Sequence, residues 1–220
     1  MNQEIKRIAW EQLQKSGASN LSLRAISREM NMTSSALYRY FKNRDALLTE
    51  LIIDAYNNIG ELVEENDAQI PAKEYHQRFI SIGQTILEWG EDSPHRFFLV
   101  YGPPIPGYSA PTDTIDPGTR TQMTLYRLLG QWGADQQPDN SEPAPTIPAK
   151  LDHQLREAAK TVGIAAPAHV IIAGMAHWSE LMGIVYSHFF NHFGQELADG
   201  EISQWLIRQM AWRIFGPETN

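Results

Sequence analysis

Residues 22–48 constrain this chain more than any other stretch. Leu23, Ile26 and Met30 recur at i, i+3 and i+7, the spacing that gathers apolar side chains on one face of a helix. Ser22 stands where an N-cap belongs, its hydroxyl able to accept from the unpaired N–H groups of the first turn. Asn31-Met32-Thr33 is too short and polar for anything but a turn. Thr33 or Ser34 then caps a second short helix, with Leu37 and Phe41 inward at i, i+4. Ser34, Ser35, Tyr38, Arg39 and Tyr40 are left facing outward. No carboxylate lies among them, so this face can hydrogen-bond phosphates and base edges without repelling them, as a helix in the major groove must.

Charge supports that reading once the chain is divided. The net charge of −8 over 220 residues argues against a nucleic-acid partner. Residues 1–48, however, carry eight Lys and Arg against four acids, a net of +4, and the remainder carries ten against 22, a net of −12. A basic head on an acidic body suits a protein that touches DNA at one end only. Cysteine is absent, which removes disulfides, thiol catalysis and thiolate metal sites. The charged, amphipathic N-terminus has no apolar core of a signal peptide, and a cytoplasmic location is expected.

The run Leu37–Leu48, LYRYFKNRDALL, resembles the L-Y-x-(Y/H)-F-x-(S/N)-(K/R)-x-x-L-L signature of TetR/AcrR-type transcriptional regulators. Upstream, SLRAISREM at 22–30 is similar to the helix that precedes it in that family. The resemblance covers residues 4–60. It implies an all-α protein: a three-helix DNA-binding head with a helix-turn-helix (1–48), joined by a connector helix to a helical effector-binding and dimerisation body (49–220). It implies a homodimer on a palindromic operator in double-stranded DNA, a small-molecule effector, and a ligand-responsive repressor. An activator, or a DNA-binding protein without an effector, remains open. Within the head, Ser34, Ser35 and Arg39 are expected at base edges, Thr33, Tyr38 and Tyr40 at phosphates. Arg24 matches a family position that reaches base or phosphate, and Arg44 adds charge at the start of the connector helix.

Beyond the head, the apolar pattern predicts helices over 3–16, from Asn43 to the acidic run 61–67, about 71–90, a short one from Pro94, 119–133, 149–162 and 201–215. Tyr101–Tyr108 reads as a proline-stiffened aromatic loop reaching to Pro117-Gly118, and 134–148 as a mobile polar loop. From Ala168 to Phe193 the sole formal charge is Glu180. A helix apolar nearly all round must be buried all round, and the economical partner is a second subunit. The expected homodimer interface is therefore 168–193 with 201–215. Membrane association through this segment is disfavoured by its length, its histidines and the acidic body.

Trp89, Phe97, Tyr101, Tyr126, His177, Trp178 and Tyr186 are candidate ligand-binding walls, apolar bodies with a few polar tips. Taken singly, each reads more readily as core. His188 and His192 at i, i+4, with His177 on the same face, have a spacing that two imidazoles use on a metal, yet no carboxylate follows in register, so no metal is expected. No nucleophile, phosphate loop or convergent acid–base pair is present, so neither catalytic residues nor cofactors are expected, and the protein is not read as an enzyme.

Overall fold

The structure is a computed structural model describing residues 1–135, 146–161, 163, 166–197 and 199–217. Ten α-helices run through the described residues: α1 (Asn2–Ser16), α2 (Leu23–Glu29), α3 (Ser34–Leu37), α4 (Arg44–Ala68), α5 (Tyr75–Asp92), α6 (Pro94–Tyr101), α7 (Ile115–Asp135), α8 (Ala149–Thr161), α9 (Ala168–Phe189) and α10 (Glu201–Phe215). No strand occurs among them. They form two compact units, one of residues 1–60 and 89–118, the other of 61–88 and 119–220.

Local chemistry sets the head's boundaries. Ser22 Oγ accepts from the Ala25 N–H at 3.3 Å, Thr33 Oγ1 from Ala36 at 3.3 Å, and Asn43 Oδ1 from Ala46 at 2.8 Å. Each satisfies a donor that the start of a helix leaves unpaired. Between α2 and α3 the chain closes a Schellman turn. The Met32 N–H reaches the Ser27 carbonyl and the Asn31 N–H reaches Arg28, with Asn31 at φ 52°. That left-handed conformation is one asparagine tolerates better than a β-branched residue does. The same turn ends α9, where Asn191 has φ 53° and the His192 N–H bonds the Ser187 carbonyl.

In the first unit, Ile5, Ile8, Leu13, Ile26, Leu37, Phe41, Leu47, Leu48 and Leu51 form one buried cluster that also takes in Leu99 of α6. Polar contacts add to it. Arg96 lies 5.0 Å over the Trp10 ring and donates to Asn58, which also accepts from Trp89 Nε1 at 2.9 Å. The aromatic loop is ordered by its phenol: Tyr108 OH and Thr49 Oγ1 share a hydrogen bond at 2.9 Å.

In the second unit, Arg78 of α5 is buried and pairs with both Asp67 oxygens at 2.8 Å, the Ala72 carbonyl and Gln131 of α7. One guanidinium thus holds the end of α4, the following turn and the last turns of α7. A Cβ on Gly83 would stand 2.9 Å from Ile207 Cγ2 and 3.1 Å from Leu181 Cδ1, so α5 lies tight against α9 and α10 here. Phe215 gathers Tyr75, Phe79 and Trp132 around the end of α10.

Two expectations change. The second short helix, expected to reach Phe41, ends at Leu37, and Tyr38, Arg39 and Tyr40 follow it in turns. Pro117-Gly118 lies inside α7, which starts at Ile115, because proline in a first helical turn gives up an N–H that has no partner there. The predicted mobile loop 134–148 falls mostly on 136–145, outside the described residues. α9 is long and apolar enough to cross a membrane by length and composition, with a third of its most apolar stretch buried. It is not covered all round within one chain: Met175 is 47 % exposed, and Ala176, Ser179 and Gly183 face outward too.

Candidate nucleic-acid interface and a cavity in the second unit

The recognition face is built by subtraction. Leu37 and Phe41 are drawn into the first unit's core, which leaves the intervening residues outside it. Thr33, Ser34, Ser35 and Arg39 are exposed, and the rings of Tyr38 and Tyr40 are 47 % and 44 % exposed. Exposed phenols flanking a guanidinium are informative, because nothing in the core requires them. Ser34 also shares a 3.4 Å contact with Ser27 of α2, and Thr33 a 3.1 Å contact with Ser35.

The head's cations divide into two sets. Lys6 is held by Glu50 and Asp54 of α4 at 2.9 Å, and those partners push its pKa up against the opposing effect of burial. Arg7 pairs with Glu4 and Glu11. Arg44 donates to the Ala18 carbonyl at 2.8 Å and to Asp45 at 3.2 Å, so part of the fork read as an anion contact is already spent on closing the turn after α1. Lys15, Arg24, Arg28, Arg39 and Lys42 are exposed, and among the described residues none of them is in an ion pair.

The seven aromatic and histidine candidates for ligand walls separate. Trp89, Phe97 and Tyr101 belong to the first unit. There Phe97 is fully buried between Phe98 and Tyr101, and Tyr101 packs edge-on against Tyr56. Tyr126, His177, Trp178 and Tyr186 belong to the second. Only His177 of the seven lines its apolar cavity, a space of about 580 Å³ between the end of α7 and the first turns of α9. Tyr126 sits behind the cavity floor: a Cβ on Gly174 would meet its ring at 2.9 Å. Tyr186 packs instead on Phe190.

The remaining lining was not singled out in the sequence: Leu129, Gly130, Trp132, Gly133 and Ala134 from α7, and Ala166, Pro167, His169, Val170, Ala173 and Gly174 from the start of α9. Its volume lies in the range of small-molecule sites, about 300–1,000 Å³. Its signal in the sequence is the pair Gly130 and Gly133 at i, i+3, beside which a Cβ would meet nothing within 4 Å. His177 is half-buried, and burial holds its imidazole below the usual histidine range. Other recesses differ in kind. A 400 Å³ cleft between α1 and α6 belongs to the first unit, and two grooves beside Arg208 of α10 are walled by exposed Trp205 and Trp212. Among the described residues no three His, Asp or Glu side chains are placed to hold a metal ion.

Residues 7–51 match the family described as bacterial regulatory proteins, tetR family, and residues 79–210 match the tetracyclin repressor-like C-terminal domain. The HTH-type transcriptional regulator Rv1816 of Mycobacterium tuberculosis is 29 % identical over 198 residues, 88 % of this chain and 82 % of its own. The crystal structure of SCO4313 superposes with a TM-score of 0.75 at 30 % identity, covering 98 % of this chain and 95 % of that one. PfmR of Thermus thermophilus, a TetR family transcriptional regulator, shares the fold at 14 % identity, with a TM-score of 0.56 and coverage of 98 % and 99 %.

Proposed function

Since the chain belongs to the TetR family of DNA-binding transcriptional regulators, we propose that it is a ligand-responsive repressor acting in the cytoplasm as a homodimer. Each subunit places α3 in the major groove of one half of a palindromic operator, with half-sites about one helical turn or a multiple apart. The observation that carries this reading is the carboxylate-free surface of Thr33, Ser34, Ser35, Tyr38, Arg39 and Tyr40, mounted on a packed head. Ser34, Ser35 and Arg39 read bases, Thr33, Tyr38 and Tyr40 hold phosphates, and Arg24 extends the contact from α2.

The dimer rests on α9 and α10. α9 turns Ala176, Ser179 and Gly183 outward, small enough for a partner helix to approach closely, and α10 leaves Trp205 55 % and Trp212 59 % exposed. Bare tryptophans opposite a helix's buried face are the kind of anchor that interfaces use. The effector occupies the cavity between α7 and α9 and selects a state with lower operator affinity. Its effect is limited by its differential affinity for the two states.

Selection of full-length protein against a pool of random duplexes, across a salt series, tests the proposal. An enriched palindrome whose affinity falls steeply with salt is expected, at about −0.9 in log–log slope per neutralised phosphate. Weak binding with no enriched sequence would sink it.

A further inference from the structure

The cavity between α7 and α9 also carries information about what it admits. Among the described residues, its lining holds no Asp, Glu, Lys or Arg. The nearest charges felt by His177 are Glu180 and Arg213, and these two pair with each other. An ionic ligand would therefore give up part of its hydration to apolar walls and meet no carboxylate, ammonium or guanidinium among the described lining residues, which is unfavourable. The walls are apolar: Leu129, Trp132, Pro167 and Val170. The space itself is kept open by Gly130 and Gly133, residues that weaken a helix and that carry no side chain to fill the gap beside them.

Among the described residues two imidazoles face this space, His177 half-buried and His169 exposed at the rim. A neutral imidazole offers one donor and one acceptor, which matches a hydroxyl, an amide or a carbonyl. Burial keeps the His177 ring in that neutral form near pH 7. From the lining we infer that the cavity takes an uncharged, largely apolar ring compound bearing one hydrogen-bonding group, which the His177 imidazole receives. This inference rests on the proposed effector role and names the ligand class for it.

Calorimetric titration of the full-length protein with naphthalene, naphthol, naphthoate and naphthyltrimethylammonium separates the possibilities. Naphthol is expected to bind at least about tenfold tighter than either charged isostere, a margin of about 1.4 kcal/mol. His177→Phe, which keeps the apolar wall, should weaken naphthol and leave naphthalene unchanged. Gly133→Leu, with its fold checked by circular dichroism, should abolish naphthol binding by occupying the space. A charged isostere that binds as well as naphthol overturns the ligand class while leaving an effector site in place. Undiminished naphthol binding by Gly133→Leu puts the ligand elsewhere and overturns the inference. Failure of all four probes overturns it too, and removes the cavity's support for ligand control.

Discussion

Tyr38 and Arg39 are neighbours in the chain with different reach. A phenol donates one hydrogen bond and suits a phosphate oxygen, whereas a guanidinium can grip two acceptors of a guanine edge. Tyr38→Phe should therefore weaken specific and random duplexes alike, by about 1 kcal/mol. Arg39→Ala should relax preference at one position of each half-site, by about 1–3 kcal/mol for the favoured base. Competition binding against operators substituted one base at a time reads both. Equal loss of discrimination from the two variants would contradict the division of roles. Histidines give a second prediction at this scale. Burial depresses the imidazoles of both His95 and His177, and a neighbouring Arg96 adds to the effect on His95. Below about pH 6.5 the unfolded chain takes up these protons first. Their contribution is thus present above that pH and is lost as the solution is acidified. The thermal midpoint should fall between pH 7 and 5, and a His95→Phe, His177→Phe double variant should show a shallower fall.

Helices show where sequence patterns suffice and where they do not. The cap at Ser22, and Thr33 as one of two candidates for the next, were legible because a cap acts over three residues, and α10 was legible at both ends because its apolar residues repeat cleanly. Thr33→Ala should cost about 1 kcal/mol, measurable by urea denaturation. Arg78 was not legible: an arginine reads as surface from its neighbours, and its partners Asp67 and Gln131 lie 11 and 53 residues away. Replacing it with Ala strands a carboxylate that is 14 % exposed, so a loss of about 3–5 kcal/mol is expected by the same denaturation measurement. The cavity was hidden for a related reason. Aromatic residues attract attention as ligand walls, yet Trp89 and Phe97 serve the first unit's interior, and the lining comes largely from glycine, alanine and proline. What those residues enclose depends on which helix faces them, and that no local pattern records.

At the scale of the molecule, the proposed dimer makes the exposed tryptophans of α10 a direct target. Trp205→Glu with Trp212→Glu should convert the protein to monomers in sedimentation velocity and remove operator binding, while helix content by circular dichroism stays unchanged. A dimer that survives both changes would place the interface elsewhere. The extent of the first unit bears on a different matter. Its buried cluster takes Leu99 from α6, and Trp10 of α1 meets His95 and Arg96. The unit that carries the recognition turn is thus assembled from two stretches of chain separated by 28 residues of the other unit. Modularity is limited by that wiring. A fragment ending at residue 48 would be left without this packing, and a hybrid grafting this reading head onto a relative would have to bring the 89–118 stretch along. Change in DNA preference within such a lineage is then easier by substitution on the outer face of residues 33–40 than by wholesale exchange of parts.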